Sequence, residues 1–204
     1  MASKRKAKKA AKPARKAVKK TVKKVVKQAP AMAAARRPAA VPAANPWKAY
    51  AAAFANEAAI TLKVLRAFPA ENHMFQAHPR SGTAMQLCWT FSIEQDLVID
   101  AIKGTLKMPP NFPPPAASFS AGIAAFEAKV AAVKAALASA KASTFSQPQQ
   151  FFIGPQQMGM VPGGVIANLM LCDQIHHRGQ LSVYVRMAGG KVPSIYGPSA
   201  DEPW

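Results

Sequence analysis

Cysteine, acidic residues and long apolar runs are all scarce in this 204-residue chain, and each scarcity excludes something. Two cysteines, Cys88 and Cys172, are too few for a disulfide scaffold or a Cys-rich zinc module, and they fit a reducing cytoplasm. No uninterrupted apolar run reaches the ~18 residues of a membrane span, so no membrane association is expected. The basic start lacks the compact apolar block of a secretory signal, although a transit peptide shares its acid-poor composition. Strand-like alternation of useful length and internal repeats are missing too, which leaves helices as the expected elements.

Acids are missing most conspicuously at the start. Residues 1–37 hold 15 of the 27 basic residues and no Asp or Glu, whereas residues 38–204 carry 12 basic and 9 acidic groups. A nearly neutral globular domain, residues 45–204, is therefore expected behind a cationic tail, residues 1–44. The tail has no aromatic residue and a dense like charge, so it cannot bury enough apolar area to offset chain entropy and is expected to be disordered.

Its composition resembles the Lys/Ala/Pro-rich tails of linker histones and of some bacterial nucleoid proteins. Lys4, Arg5, Lys6, Lys8, Lys9, Lys12, Arg15, Lys16, Lys19, Lys20, Lys23, Lys24 and Lys27 are the expected contacts to DNA or RNA phosphates, without base readout. About 8 engaged charges would give a log–log salt slope near −7. A solubilising extension is the plainer alternative, and a nucleoid association within the cytoplasm follows only from the first reading.

Four helical segments follow. Asn45-Pro46 reads as a cap and first helical position, and Trp47, Tyr50, Phe54, Ala58, Leu62 and Leu65 keep helical spacing up to Pro69. A second helix is expected from Thr83 to Lys103, closed by Gly104. After a Pro-rich connector, Ser118 or Ser120 caps a third helix through Ile123, Phe126, Val130, Val133 and Leu137, extending to about Ser143. Residues 144–162 read as irregular, and the last helix runs from Gly163–Val165 to the Gly189-Gly190 stop. The expected fold is all-α, a four-helix bundle whose long connectors need not give a simple up-down order.

The last helix carries the most specific chemistry. Asp173 and His177 are four apart, on a stripe otherwise built from Ile166, Met170, Leu181 and Tyr184. A carboxylate and an imidazole facing a core must be paired, hydrogen-bonded or metal-bound. Asn168, Arg178, Ser182 and Arg186 are expected to point elsewhere, with Glu57 and Arg178 making surface-type ion pairs of little functional meaning. His176 lies on the neighbouring stripe as a packing or pocket-lining residue, and His73 and His78 fall in an exposed loop. Both cysteines read as buried and inert. The Met-rich stretch Met158–Pro162 reads as a pocket wall or filler, and residues 193–202 as a segment packed over the bundle end.

At these residues the chain resembles the DinB-like (DinB/YfiT) superfamily. The motif IHHRGQLSVYVRMAGGKVPSIYGPSADE at 175–202 carries the likeness, supported by AMQLCWTFSIEQ at 84–95. The resemblance implies a bundle, often a homodimer, with a divalent metal held by three histidines, in a family that includes thiol-dependent transferases, isomerases and hydrolases. Carried onto this chain, the second last-helix histidine is His177, the first falls on Asp173, and the helix-2 histidine after Trp89 falls on Thr90. Asp173, His177 and Glu94, one turn beyond Thr90, are the candidate ligands for zinc, nickel or manganese, with Thr90 and His176 lining the site. A damage-inducible expression name also attaches to the family. Two alternatives stay open. In one, an Asp173–His177 pair, or a hydrogen bond from Thr90, fills a dry core. In the other, the domain is a non-catalytic binding or dimerisation module tethered to nucleic acid.

Overall fold

A computed structural model describes residues 44–203, and the tail with its phosphate-binding candidates lies outside them. The first helix, α1 (Trp47–Ala67), is fixed at its start by Asn45, whose side-chain oxygen accepts from the Trp47 N–H at 3.2 Å. A single 3-10 turn, Ala70–Asn72, follows Pro69. The second helix, α2 (Ala84–Lys103), opens on a reciprocal capping box between Thr83 and Gln86 and closes on Gly104 at φ 73°. That left-handed conformation is one that glycine adopts without steric cost. Both ends fall where the cap chemistry of the sequence puts them.

The third helix, α3 (Phe119–Ala138), is capped by the Ser118 side chain, which accepts from the Ala121 N–H. It ends five residues before the expected Ser143, and the chain re-forms as a short α4 (Ala142–Ser146). Thr144 of α4 explains the break. Its buried hydroxyl lies 2.8 Å from the Ile102 carbonyl and 3.1 Å from the Trp47 indole nitrogen, tying α4 to two other helices.

Residues 148–162 are not irregular. They form an antiparallel hairpin, β1 (Pro148–Gly154) and β2 (Gln157–Pro162), with Pro148 opposite Pro162 and Phe151 opposite Gly159. The sequence hides the alternation because each dipeptide, Gln149-Gln150 and Phe151-Phe152, sends its first residue inward and its second outward. Gln149 holds an inward position through a 2.9 Å bond from its amide to the Ala101 carbonyl. Phe151 joins Leu97, Ala101 and Ile166 in a small core beneath the hairpin.

The last helix, α5 (Gly163–Met187), starts directly from β2. Glycine is required there: a Cβ on Gly164 would come within 2.6 Å of the Phe145 ring. The four long helices enclose a core that includes Trp47, Phe54, Phe91, Phe126 and Leu181. Both α1 and α2 pack mainly on α3 and α5, so consecutive α1 and α2 lie diagonally across the bundle. The chain then returns over the bundle end, where Lys63 pairs with Glu202 at 2.8 Å and Arg186 with Asp201 at 2.7 Å. Among the described residues no helix is long and apolar enough to cross a membrane.

Candidate metal centre

The α2–α5 seam brings together three of the predicted site residues. Glu94, Asp173 and His177 each offer a ligand atom, and these atoms all lie within 4.8 Å of one another. Glu94 is 3% exposed, and its Oε1 lies 2.8 Å from His177 Nδ1. Asp173 Oδ1 is 3.8 Å from the same nitrogen, beyond hydrogen-bond range, with its side chain 45% exposed. The pairing therefore differs from the one expected within α5. His177 reaches across to α2, and Asp173 guards the solvent side.

Burial pushes the Glu94 carboxyl up to about 7, against the opposing pull of His177, and the Asp173 carboxylate adds to the rise. The Glu94 hydrogen bond holds the His177 imidazole above its ordinary range, although partial burial works the other way. The second carboxyl oxygen, Glu94 Oε2, is buried and has no partner. An orphaned buried carboxyl oxygen is costly, and a cation beside it would satisfy it. With one imidazole and two carboxylates, the donor set is oxygen-rich and of a kind that divalent metals accept. The residues present fit a divalent metal.

Thr90 lies one turn before Glu94, and its hydroxyl donates to the Gln86 carbonyl at 3.0 Å. His176 is exposed and forms a 3.0 Å contact with Gln180, and it does line a surface depression of about 400 Å³ beside the cluster. Phe151, Leu169, Met170, Cys172 and Asp173 complete that depression. The hairpin thus supplies a wall, but through Phe151 and not through the methionines that follow it. Cys88 is buried as expected, and burial pushes its thiol up to about 12. Cys172 departs from expectation: it is exposed, because α5 turns that side to solvent. His73 and His78 take no part in the cluster.

Arg178 departs furthest from its reading. It is 1% exposed, 2.7 Å from Glu57 Oε2, and covered by the Tyr196 ring at 5.0 Å. Helices on two sides, α1 and α2, widen the buried arc of α5 beyond the Asp173–His177 stripe, and Arg178 falls inside it. Gln95 and Gln174 are buried as well, although their polarity alone would place them outward. The available signal was positional, since Gln174 lies between Leu171 and Arg178 on the helix that α1 and α2 enclose.

Comparison with known proteins agrees with this architecture. The described bundle resembles the crystal structure of a DinB-like protein from Bacillus cereus ATCC 10987, with TM-score 0.60 and 22% identity over 73% of this chain and 97% of the other. A DinB-like protein of Bacillus subtilis, YjoA, gives TM-score 0.53 and 17% identity over 68% and 90% of the two chains. Such likenesses show the fold alone. An uncharacterised protein of Bacillus subtilis (strain 168), YrdA, is 45% identical over 42 residues, which are 21% of this chain. The match spans about a quarter (25%) of that relative's length. Residues 43–203 match the DinB family over nearly the whole domain, and on that match the chain belongs to the DinB family.

Proposed function

We propose that Glu94, Asp173 and His177 hold one divalent cation and that the domain is a metal-dependent hydrolase or thiol transferase acting on a small molecule. The observation that carries this reading is the convergence of three ligand atoms within 4.8 Å, one belonging to a carboxylate whose other oxygen has no partner. A bound cation of this kind lowers the pKa of a coordinated water or thiol and polarises an electrophile. The chain's own groups supply the rest. Asp173, on the exposed side, faces the depression from which a substrate enters. Phe151, Leu169 and Met170 give that depression an apolar wall that excludes water, and His176 presents an imidazole at its rim as a proton acceptor or donor.

The test is titration of the metal-stripped full-length protein with Mn²⁺ and Zn²⁺ by calorimetry. One equivalent is expected to bind, and the Asp173→Ala/His177→Ala double variant is expected to lose it. A wild-type protein that takes up neither ion would sink the reading.

The charge distribution favours a second, separable function. Fifteen basic residues without an acid in residues 1–37 make an electrostatic tether for nucleic acid phosphates. Binding of DNA by the full chain is expected to fall with salt at a log–log slope near −7 and to vanish when residues 1–44 are deleted. A salt-independent affinity, or one that survives the deletion, would refute it.

A further inference from the structure

Each candidate ligand is followed in the chain by a buried polar residue: Glu94 by Gln95, Asp173 by Gln174, His177 by Arg178. These three successors meet in one hydrogen-bonded chain behind the ligands. Gln95 Nε2 donates to Gln174 Oε1 at 3.0 Å, and Gln174 Nε2 donates to Thr61 Oγ1 of α1 at 3.0 Å. Arg178 reaches the same Thr61 oxygen at 3.4 Å and the Glu57 carbonyl at 3.2 Å. Thr61 is fully buried, and its own proton goes to the Glu57 carbonyl at 2.9 Å.

Packing does not require this arrangement. A buried polar pair replaced by apolar groups of the same shape is nearly neutral for stability. The chain of bonds even leaves Gln95 Oε1 buried without a partner while its amide is committed to Gln174 and the Phe91 carbonyl. What such bonds supply that apolar contacts do not is direction. A slip of one residue along α5 moves a side chain by about 1.5 Å and turns it by about 100°. Either change would separate Glu94 from His177.

We infer that Thr61 is a positioning residue for the metal centre: through Gln174, Gln95 and Arg178 it locks the register of α2 against α5 and so sets the convergence of Glu94, Asp173 and His177. This rests on the metal-binding reading above for its affinity readout, but not for its structural one.

The experiment compares full-length wild type, Thr61→Val, Thr61→Ser and Val133→Ala, the last a fully buried α3 residue outside the hydrogen-bonded chain. Two quantities are measured: Mn²⁺ affinity, and the Glu94–His177 separation in metal-free crystals. Thr61→Val is expected to weaken Mn²⁺ at least 10-fold, within the range for partners that orient metal ligands, and to open the 2.8 Å contact past 3.5 Å. Thr61→Ser, which restores the hydroxyl, should return both. Val133→Ala should lose stability while keeping affinity within about 2-fold. Gln95→Met, at the far end, leaves Thr61 intact and should reproduce the Thr61→Val effect, so the test survives if Thr61→Val does not fold. Unchanged affinity and an unchanged contact in Thr61→Val or Gln95→Met would overturn the inference. An equal loss in Val133→Ala would do the same. Should wild type bind no Mn²⁺, the metal reading fails, and the crystallographic separation still decides the positioning role.

Discussion

The two faces of α5 depart from a clean division into apolar inside and polar outside. Its inward side carries Gln174 and Arg178, both nearly inaccessible, while its outward side shows Val165, Leu169, Cys172, Val183 and Met187 to solvent. Ile166, Leu171, Leu181 and Val185 keep the inward side mostly apolar, as in an ordinary amphipathic helix, and the two buried polar residues are the exceptions. Polarity alone therefore misplaces residues on this helix, because the partners that make polarity tolerable inside belong to α1, α2 and the C-terminal segment. The inward side is organised by hydrogen bonds of fixed direction. The outward side has no such constraint.

The largest effect should come from breaking the inward side at its charge. Arg178→Met would remove the cation beside the Glu57 carboxylate, which keeps Tyr196 and Asn56 as donors, together with the guanidinium contact with Tyr196, and it is expected to cost about 3 kcal/mol in urea unfolding. Adding Glu57→Met should recover most of that loss, since the pair is then gone as a unit. No recovery would mean that Arg178 stabilises through its bonds to Thr61 and the Glu57 carbonyl and the packing of its stem, not through the ion pair.

A smaller, reversible effect sharpens the same comparison through pH. In the metal-free protein both Glu94 and His177 hold protons more tightly folded than unfolded. The folded state therefore binds more protons, and stability falls as pH rises. The Glu94 contribution is full below its unfolded range near pH 4.5 and is lost as pH passes about 7. The His177 contribution is lost over a window above its ordinary 6.5. The metal-free protein should melt higher at pH 5 than at pH 8, whereas metal affinity should climb with pH because ligands must release protons. A flat stability profile across that range would break the proposed Glu94–His177 coupling.

The smallest effect belongs outside. Val183→Lys, at a position 53% exposed, should move the unfolding midpoint by no more than about 0.5 kcal/mol. A wild-type midpoint that rises with protein concentration, and stops doing so in Val183→Lys, would instead show this face covered by a second copy.

Local chemistry was legible and convergent chemistry was not. Thr83 with Gln86 and Gly104 bound α2 because caps involve residues within one turn, and a sequence displays such neighbours directly. Asp173 and His177 could be placed on one face by spacing, and Glu94 by its distance from Thr90 along α2. That His177 bonds Glu94 and not Asp173 depends on how α2 and α5 are aligned along their axes, which no single helix encodes. The hairpin was hidden for a related reason. Gln149 looks like a loop residue until the Ala101 carbonyl and the Leu106 N–H are brought to it.

That hairpin also ties one wall of the depression to the two helices that carry the candidate ligands. Helices α2 and α5 carry the ligands, and any change in their packing disturbs the metal centre and the core together. Phe151 approaches the same depression from a strand and packs on Leu97 and Ala101 of α2 and Ile166 of α5. The turn between Gly154 and Gln157 holds Gln156 at a positive φ of 58°, and none of its residues lines the depression. Lengthening or rewriting that turn would touch neither Phe151 nor the three clustered side chains. The scaffold thus has a place open to variation that is separate from its candidate metal centre, while the wall residue Phe151 stays bound to the packing of both helices.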